Sequence, residues 1–501
     1  MAVSEKKWGV ILRYIQLISN VAVKFIYTPF LLRALGQNEY GLFSLTMSIV
    51  GYLAILDLGF GSTVTRFTVK YKSEGDKMKL YGLYSTLSVI YIIIGLLAML
   101  ICFLLSISAD NLYGNTMSAT EVYKLRLMIL LCGVNLLFTF PLQISASVLV
   151  AYERFIVKNG VTLIFTFLQP TVMIALLYLI HMKSVGAIVV VTSCNLLTYL
   201  IYYIYAVRKL DFKFSIKMFE PAMLKGLLTF SVWMFLMMLF EQLQYNSGQF
   251  IIGMFQGADV VAVWGITMIF VLNYRSISTA ITNVFLPSFM AYSFEKNDGK
   301  IESSVYKMTR IQALALIFII INFALFGKEF IHIWAGSEYA KAFPCALLIM
   351  LAMTPALLLE FCYLYQLAAN KLMYKIVTSF SSFMIAFAIV YLYRGIDLDS
   401  YALLMTISLL LGQVACVLFF IHKYMAIKMR FVLQEIIHVW WAPLFISFGY
   451  YLLSYNFFQI NSLVSFIAHG IAFNTALIAL IWRFSLNENE RCLMLRKKSY
   501  K

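Results

Sequence analysis

Five ionisable residues stand where a lipid-spanning sequence should have none: Lys24, Asp57, Glu241, Arg275 and Glu360. A charged side chain deep in a bilayer costs at least ~2.5 kcal/mol, so it faces an aqueous cavity or a partner. Their neighbours are polar too. Lys24 shares one helical face with Arg13, Gln16, Asn20 and Tyr27, whose spacings stack side chains on one stripe. Glu241, Gln242, Gln244, Tyr245, Asn246 and Gln249 crowd a single stretch, and Arg275 lies between Asn273 and the hydroxyls of Ser278, Thr279 and Thr282. Asp57 precedes Gly59-Phe60-Gly61, and Glu360 precedes Tyr363, Gln366 and Asn370. Lys and Arg bind phosphate or carboxylate well, so two cations at mid-depth suit an anionic substrate. Lys24, Arg275, Asn20, Tyr27, Gln242, Tyr245 and Gln249 are therefore expected to line a substrate cavity. Asp57, Glu241 and Glu360 are candidates for ion coupling, since a proton can neutralise a buried carboxylate. The plainer alternative is ion pairing that fixes helix packing, such as Lys24 with Asp57 or Glu241 with Arg275.

A membrane bundle must position these residues. The 501 residues are 62% hydrophobic and 12% charged, about half the charge of a soluble domain, and mean hydropathy is +0.86. A soluble multidomain enzyme is excluded, and so is a disordered chain, because aromatics make up 16%. Residues 80–109, 127–152, 159–182, 184–207 and 400–421 contain no Asp, Glu, Lys or Arg. Residues 439–482 are equally free of charge but broken by a polar turn at 454–461, which makes them two helices. Spans with isolated polar residues lie at 10–34, 41–66, 226–255, 259–288, 309–334, 343–368 and 375–394. A crossing takes about 20 residues, and these segments predict an all-α polytopic membrane protein of about 14 transmembrane helices.

Charge placement orients the bundle. With both termini cytoplasmic, the inner segments hold 30 of the 39 Lys and Arg residues, and the outer loops hold seven. That bias is the positive-inside pattern of a membrane protein, and it accounts for the net charge of +16 without nucleic acid. The halves also resemble each other. Leu35-Gly36-Gln37-Asn38 aligns with Gln256-Gly257-Ala258-Asp259 at an offset of 221, and the same offset brings 72–76 near 294–298. Six crossings fall within that offset, an even number, so the repeat is parallel, with a pseudo-twofold axis along the membrane normal, as in transporters built from repeats. The expected organisation is an N-lobe at 1–222, a C-lobe at 223–430, an extra helix pair at 431–484 and a basic cytoplasmic tail at 485–501.

Other chemistries lack their residues. The seven cysteines form no CxxC and the five histidines fall at no metal-ligand spacing, so no metal and no cofactor are expected. No phosphate-binding G-x-x-x-x-G-K-[ST] loop is present. Asp397-Leu398-Asp399 lies in a short turn and reads as a helix link rather than the D-x-D of a sugar transferase. Pro29, Pro141, Pro170, Pro355 and Pro443 are expected to kink membrane helices.

Ala34-Leu-Gly-Gln-Asn-Glu-Tyr-Gly41, Leu56-Asp-Leu-Gly-Phe-Gly61, Thr65-Arg66 and Glu74-Gly-Asp76 together resemble the opening of Wzx-type polysaccharide flippases. These belong to the multidrug/oligosaccharidyl-lipid/polysaccharide exporter superfamily. The resemblance implies two six-helix lobes around a cavity lined by the first two helices of each, with the last helix pair added. It implies transport of undecaprenyl-diphosphate-linked oligosaccharide, such as an O-antigen repeat unit, to the outer leaflet of the bacterial cell membrane. A polysaccharide polymerase and glycosyltransferases would be partners, and there would be no enzymatic step. The family's cationic lumen falls on Lys24 and Arg275, and Tyr27, Tyr245 and Tyr274 would meet sugars. No counterpart to the denser lumen arginines of a lipid II flippase is evident. The alternatives are a cation-coupled multidrug exporter, which would need acidic groups in the first lobe, and a membrane-embedded glycosyltransferase or polymerase, which would need large outer loops.

Overall fold

The computed structural model describes residues 2–57, 59–181, 183–215, 218–294, 298–368, 373–392, 397–424, 429–457, 463–488 and 490–491. Among them every regular element is helical. The chain separates into two compact units, Met1–Gly265 and Ile266–Lys501. The first contains α1 (Ala2–Leu35), α2 (Gln37–Leu53), α3 (Phe60–Ser73), α4 (Lys77–Tyr113), α5 (Ala119–Ala151), α6 (Phe155–Leu179), α7 (Ser184–Lys209) and α8 (Pro221–Gln256). Helix α9 (Ala258–Phe294) begins there and continues into the second unit. That unit adds α10 (Asp298–Trp334), α11 (Ala342–Leu358), α12 (Phe361–Ala368), α13 (Met373–Leu392), α14 (Leu398–Ser408), α15 (Ala415–Tyr424), α16 (Met429–Phe457) and α17 (Leu463–Leu480).

Eleven helical segments among the described residues are long and apolar enough to cross a membrane. Helices α1, α8 and α13, of 34, 36 and 20 residues, occupy the other three positions expected from the sequence. The 439–482 run forms two helices as anticipated, with 458–462 between them outside the described residues. The second pair of the repeat, 72–76 with 294–298, lies partly outside them too.

Helix boundaries follow local chemistry. Asp76 caps α4 by accepting from the Lys79 N–H at 3.0 Å. Ser118 and Glu121 form a reciprocal capping box at the start of α5. Asp397 caps α14 through the Ser400 N–H at 3.0 Å, so the Asp397-Leu398-Asp399 turn does link helices. The five prolines stay inside continuous helices. Breaks occur elsewhere, and two of them carry a candidate carboxylate. Asp57 ends a 3₁₀ turn before the left-handed Gly59, and Glu360 lies between α11 and α12.

The aligned glycines give the repeat a backbone signature. Gly36 joins α1 to α2 with φ 76° and ψ 170°, and Gly257 joins α8 to α9 with φ 86° and ψ −176°. This conformation is essentially confined to glycine, and each turn is a single residue. In the first unit α4 packs along α5, α5 along α7 and α1 along α6. In the second, α16 lies on α10 and α11 on α14.

Candidate functional site

Three of the sequence-predicted residues meet in the first unit. Asn20, Lys24 and Tyr27, on one face of α1, line a cavity of about 530 Å³. Gln143 of α5, Lys158 and Gln169 of α6, and Asn195 of α7 complete its polar wall. The lining therefore holds two ammonium groups and no carboxylate, and Lys24 is exposed to the space. The wall is fixed by hydrogen bonds. The Thr166 hydroxyl donates to Asn20 Oδ1 at 3.3 Å, and Asn195 Nδ2 donates to Asn135 Oδ1 at 3.2 Å. The Thr162 and Tyr202 hydroxyls are 2.6 Å apart, and each lies 2.9 Å from the Lys158 carbonyl. Those contacts hold the first turn of α6, and with it Lys158, against α7.

Asp57 is engaged elsewhere. The Tyr91 hydroxyl donates to its carboxylate, and so does the Gly61 N–H at the start of α3. On α8, Glu241 and Gln242 are half-buried, and Gln242 accepts from the Asn246 amide. Tyr245 and Gln249 are buried, and Gln249 Oε1 finds no donor among the described residues.

The second unit treats its cations differently. Arg275 is half-buried on α9, where it interacts with the Glu360 carboxylate and with Tyr363. The Ser278 hydroxyl lies 3.3 Å from Glu360 Oε2, and Gln312 Nε2 donates to Ser278 and Thr282 at 3.0 and 3.1 Å. Tyr274 is buried, 2.8 Å from the Thr354 hydroxyl. Arg310 of α10 is buried as well. It pairs with Glu435 of α16 and, at 2.9 Å, with Glu490, and it donates to the Ser485 carbonyl at 2.9 Å. Burial alone would push the Glu490 carboxyl up, but hydrogen bonds from Arg310 and the Asn487 N–H bring it below its usual range. Two hollows among the described residues of this unit, of about 380 and 460 Å³, are apolar and share Ile320, Leu351 and Leu444 where α10, α11 and α16 meet.

The 34–41 segment turns out to be a latch. Gln37 Nε2 donates to the Asp259 carbonyl at 3.1 Å, and Asn38 Nδ2 to Glu121 Oε1 at 3.1 Å. Glu39 pairs with Lys124 and accepts from the Ser184 N–H at 3.1 Å at the head of α7. Gly41 lies so close to the Ala258 carbonyl that a Cβ would overlap it. Sequence reasoning named this motif without its contacts. It also missed Lys158, Gln143, Gln169 and Asn195; Lys158 carries a signal, a charge beside an apolar run, that the positive-inside bias explains equally well.

The chain is similar to known membrane transporters. It is 24% identical over 323 residues to a candidate O-antigen transporter of Shigella flexneri, covering 62% of this chain and 72% of that one. It is 20% identical over 333 residues to the membrane protein EpsK of Bacillus subtilis, covering 63% of each. Its fold matches the lipid II flippase MurJ in an inward closed conformation, with a TM-score of 0.68, 15% identity and coverage of 95% of this chain and 99% of MurJ. It also matches an inward-facing multidrug resistance MATE family transporter of the MOP superfamily, with a TM-score of 0.61, 15% identity and coverage of 81% and 93%. The exporter fold implied by the opening motifs is thus borne out. The family model described as polysaccharide biosynthesis protein spans residues 6–293, a stretch that includes both Lys24 and Arg275, and the chain belongs to that family.

Proposed function

We propose that this multi-pass membrane protein is a flippase for lipid-linked saccharide, carrying polyprenyl-diphosphate-linked oligosaccharide from the cytoplasmic to the outer leaflet of the bacterial cell membrane. Alternating access of two lobes, residues 1–222 and 223–430, moves the substrate without covalent chemistry. Residues 431–484 add a helix pair, and both termini face the cytoplasm. The observation that carries this reading is the polar pocket around Lys24, which holds two ammonium groups and no carboxylate. Such a wall attracts an anion. A cation-coupled drug exporter would need acidic groups in that same place. The apolar hollows of the second unit suit an amphiphilic substrate with a long hydrocarbon tail. Family membership and the likeness to an O-antigen transporter support a saccharide cargo for surface polysaccharide, made and used by glycosyltransferases and a polymerase.

The test is lipid-linked oligosaccharide in a deletion strain, complemented by wild type, Lys24→Gln or Arg275→Ala at equal expression. The repeat unit should accumulate on the cytoplasmic side and be relieved only by wild type. Intact surface glycan in the deletion strain would remove the flippase reading.

A further inference from the structure

The repeat offset of 221 that pairs Gly36 with Gly257 also pairs Asp57 with Ser278, Tyr91 with Gln312 and Thr139 with Glu360. In each unit the three positions stand on the second, third and fourth crossings of the repeat, around one polar node. In the first unit the Tyr91 hydroxyl of α4 donates to Asp57. The Tyr91 ring stacks on Phe140, next to Thr139 on α5, with centroids 6.3 Å apart. In the second unit Gln312 of α10 donates to Ser278 of α9 at 3.0 Å, and the Ser278 hydroxyl lies 3.3 Å from Glu360. Each node holds one carboxylate and one aliphatic hydroxyl, with their places exchanged between the second and fourth crossings.

The exchange follows the helix breaks. Asp57 ends a 3₁₀ turn before the left-handed Gly59, whereas Ser278 lies inside the continuous α9. Glu360 stands at the break between α11 and α12, and Thr139 lies inside the continuous α5. Around Glu360 the backbone also bonds at three-residue spacing: its N–H reaches the Leu357 carbonyl at 3.2 Å, and its carbonyl receives the Tyr363 N–H at 3.0 Å. Such turns inside a helix mark hinges, and a broken helix frees backbone N–H groups that lipid cannot satisfy. A carboxylate is a pure acceptor with room for several donors. Asp57 takes the Gly61 N–H from beyond the break together with the Tyr91 hydroxyl, which ties the far segment and the neighbouring helix to one point. We propose that Asp57 and Glu360 are positioning residues, the pinned pivots at which α3 turns against α2 and α12 against α11. The two repeats then bend at non-equivalent helices during transport. A carboxylate kept for its charge would serve from either place in the node; one kept to close a break serves only at the break.

The experiment reads variants of the full-length protein in two ways. One is transport in the complemented deletion strain. The other is the distance, in nanodiscs, between nitroxide labels at exposed Arg33, beside the head of α2, and exposed Val69 of α3. Asp57→Asn keeps an amide oxygen with two lone pairs. It should stay within about threefold of wild-type transport, the share that one neutral hydrogen bond carries, and keep the wild-type distances. Glu360→Gln should transport equally well. Asp57→Ala leaves both donors at the pivot without an acceptor, so transport should fall at least about tenfold and the distances should shift. Asp57→Ser with Thr139→Glu gives the first unit the pattern of the second, and should be as impaired as Asp57→Ala. Should Asp57→Ala fail to fold, Asp57→Asn and the relocated variant, each with a cooperative melting curve, still decide. Transport lost in Asp57→Asn, or restored by the relocated carboxylate, would overturn the pivot and assign the node to the charge itself. Wild-type distances in a folded Asp57→Ala would overturn it as well. Only the transport readout rests on the flippase reading: intact surface glycan in the deletion strain would remove that reading, and the label distances would still test the pivot.

Discussion

The two units place their cations in opposite surroundings. In the first, Lys24 opens onto a polar hollow whose wall carries no carboxylate. In the second, the Glu360 charge acts on Arg275 and Arg310 is clasped by Glu435 and Glu490, and two hollows among the described residues are apolar. A paired buried cation holds helices together, and its removal strands the partner. An unpaired one contributes little to packing and keeps its charge for a ligand. The sequence repeat thus keeps a backbone turn and not the chemistry attached to it.

The largest expected effect breaks this comparison at Lys24. Lys24→Gln should lower transport by about a hundredfold or more, because binding and translocation both use the charge, at about 1.4 kcal/mol per tenfold. Its melting temperature should match or exceed that of wild type, since an uncompensated cation is removed. Transport and thermal melting measured on one preparation check this, and a large fall in melting temperature would mean that Lys24 is a packing residue.

At Arg275 the comparison predicts the reverse balance. Arg275→Ala removes the cation whose charge acts on the half-buried Glu360 carboxylate, so detergent-solubilised protein should melt lower. Arg275→Ala with Glu360→Gln should recover most of that stability. If Arg275 also contacts substrate, the double variant stays inactive. Recovery of transport in the double variant would assign Arg275 to structure alone.

How much of this was legible depended on where the partners came from. The Lys24, Asn20 and Tyr27 stripe lies on one helix, so residue spacing alone brings it together. Lys158, Gln143 and Asn195 come from three other helices, and each looks ordinary by itself; only folding α1 against α6 and α7 assembles them. Asp57 shows the same limit. Its polarity was visible, but Tyr91, its hydrogen-bond donor, is 34 residues away on another helix. The Gly36 and Gly257 turns were readable as a repeat because only glycine tolerates that backbone. The break that holds Glu360 had no such marker, since Leu359 and Phe361 continue the apolar pattern.

Those glycines sharpen the comparison at the level of backbone. Gly36→Ala and Gly257→Ala should each cost about 1–3 kcal/mol, the usual strain of a side chain in this region. At Gly36 no atom lies within 4 Å of the added Cβ, whereas at Gly257 the Thr116 carbonyl oxygen is 2.7 Å away. Gly257→Ala should therefore be the more damaging of two substitutions at equivalent positions. Equal losses in melting temperature would show that backbone strain alone sets the cost and that the Thr116 contact adjusts freely.

The smallest expected effect concerns the charge network at the end of the second unit. Glu490 is held below its usual range through Arg310 and the Asn487 N–H, so its contribution is complete above the unfolded carboxyl value of about 4.3. It is lost as pH falls through the lower folded value. Arg310 keeps Glu435 as a second partner, so Glu490→Gln should cost only about 1 kcal/mol at neutral pH. Melting curves of wild type and Glu490→Gln should be separated at pH 7 and converge as the pH falls through the lowered folded-state value of Glu490. A separation that persists at low pH would mean that Glu490 stabilises the protein by packing and neutral hydrogen bonds, and the contrast between paired and unpaired cations would then rest on Arg275 alone.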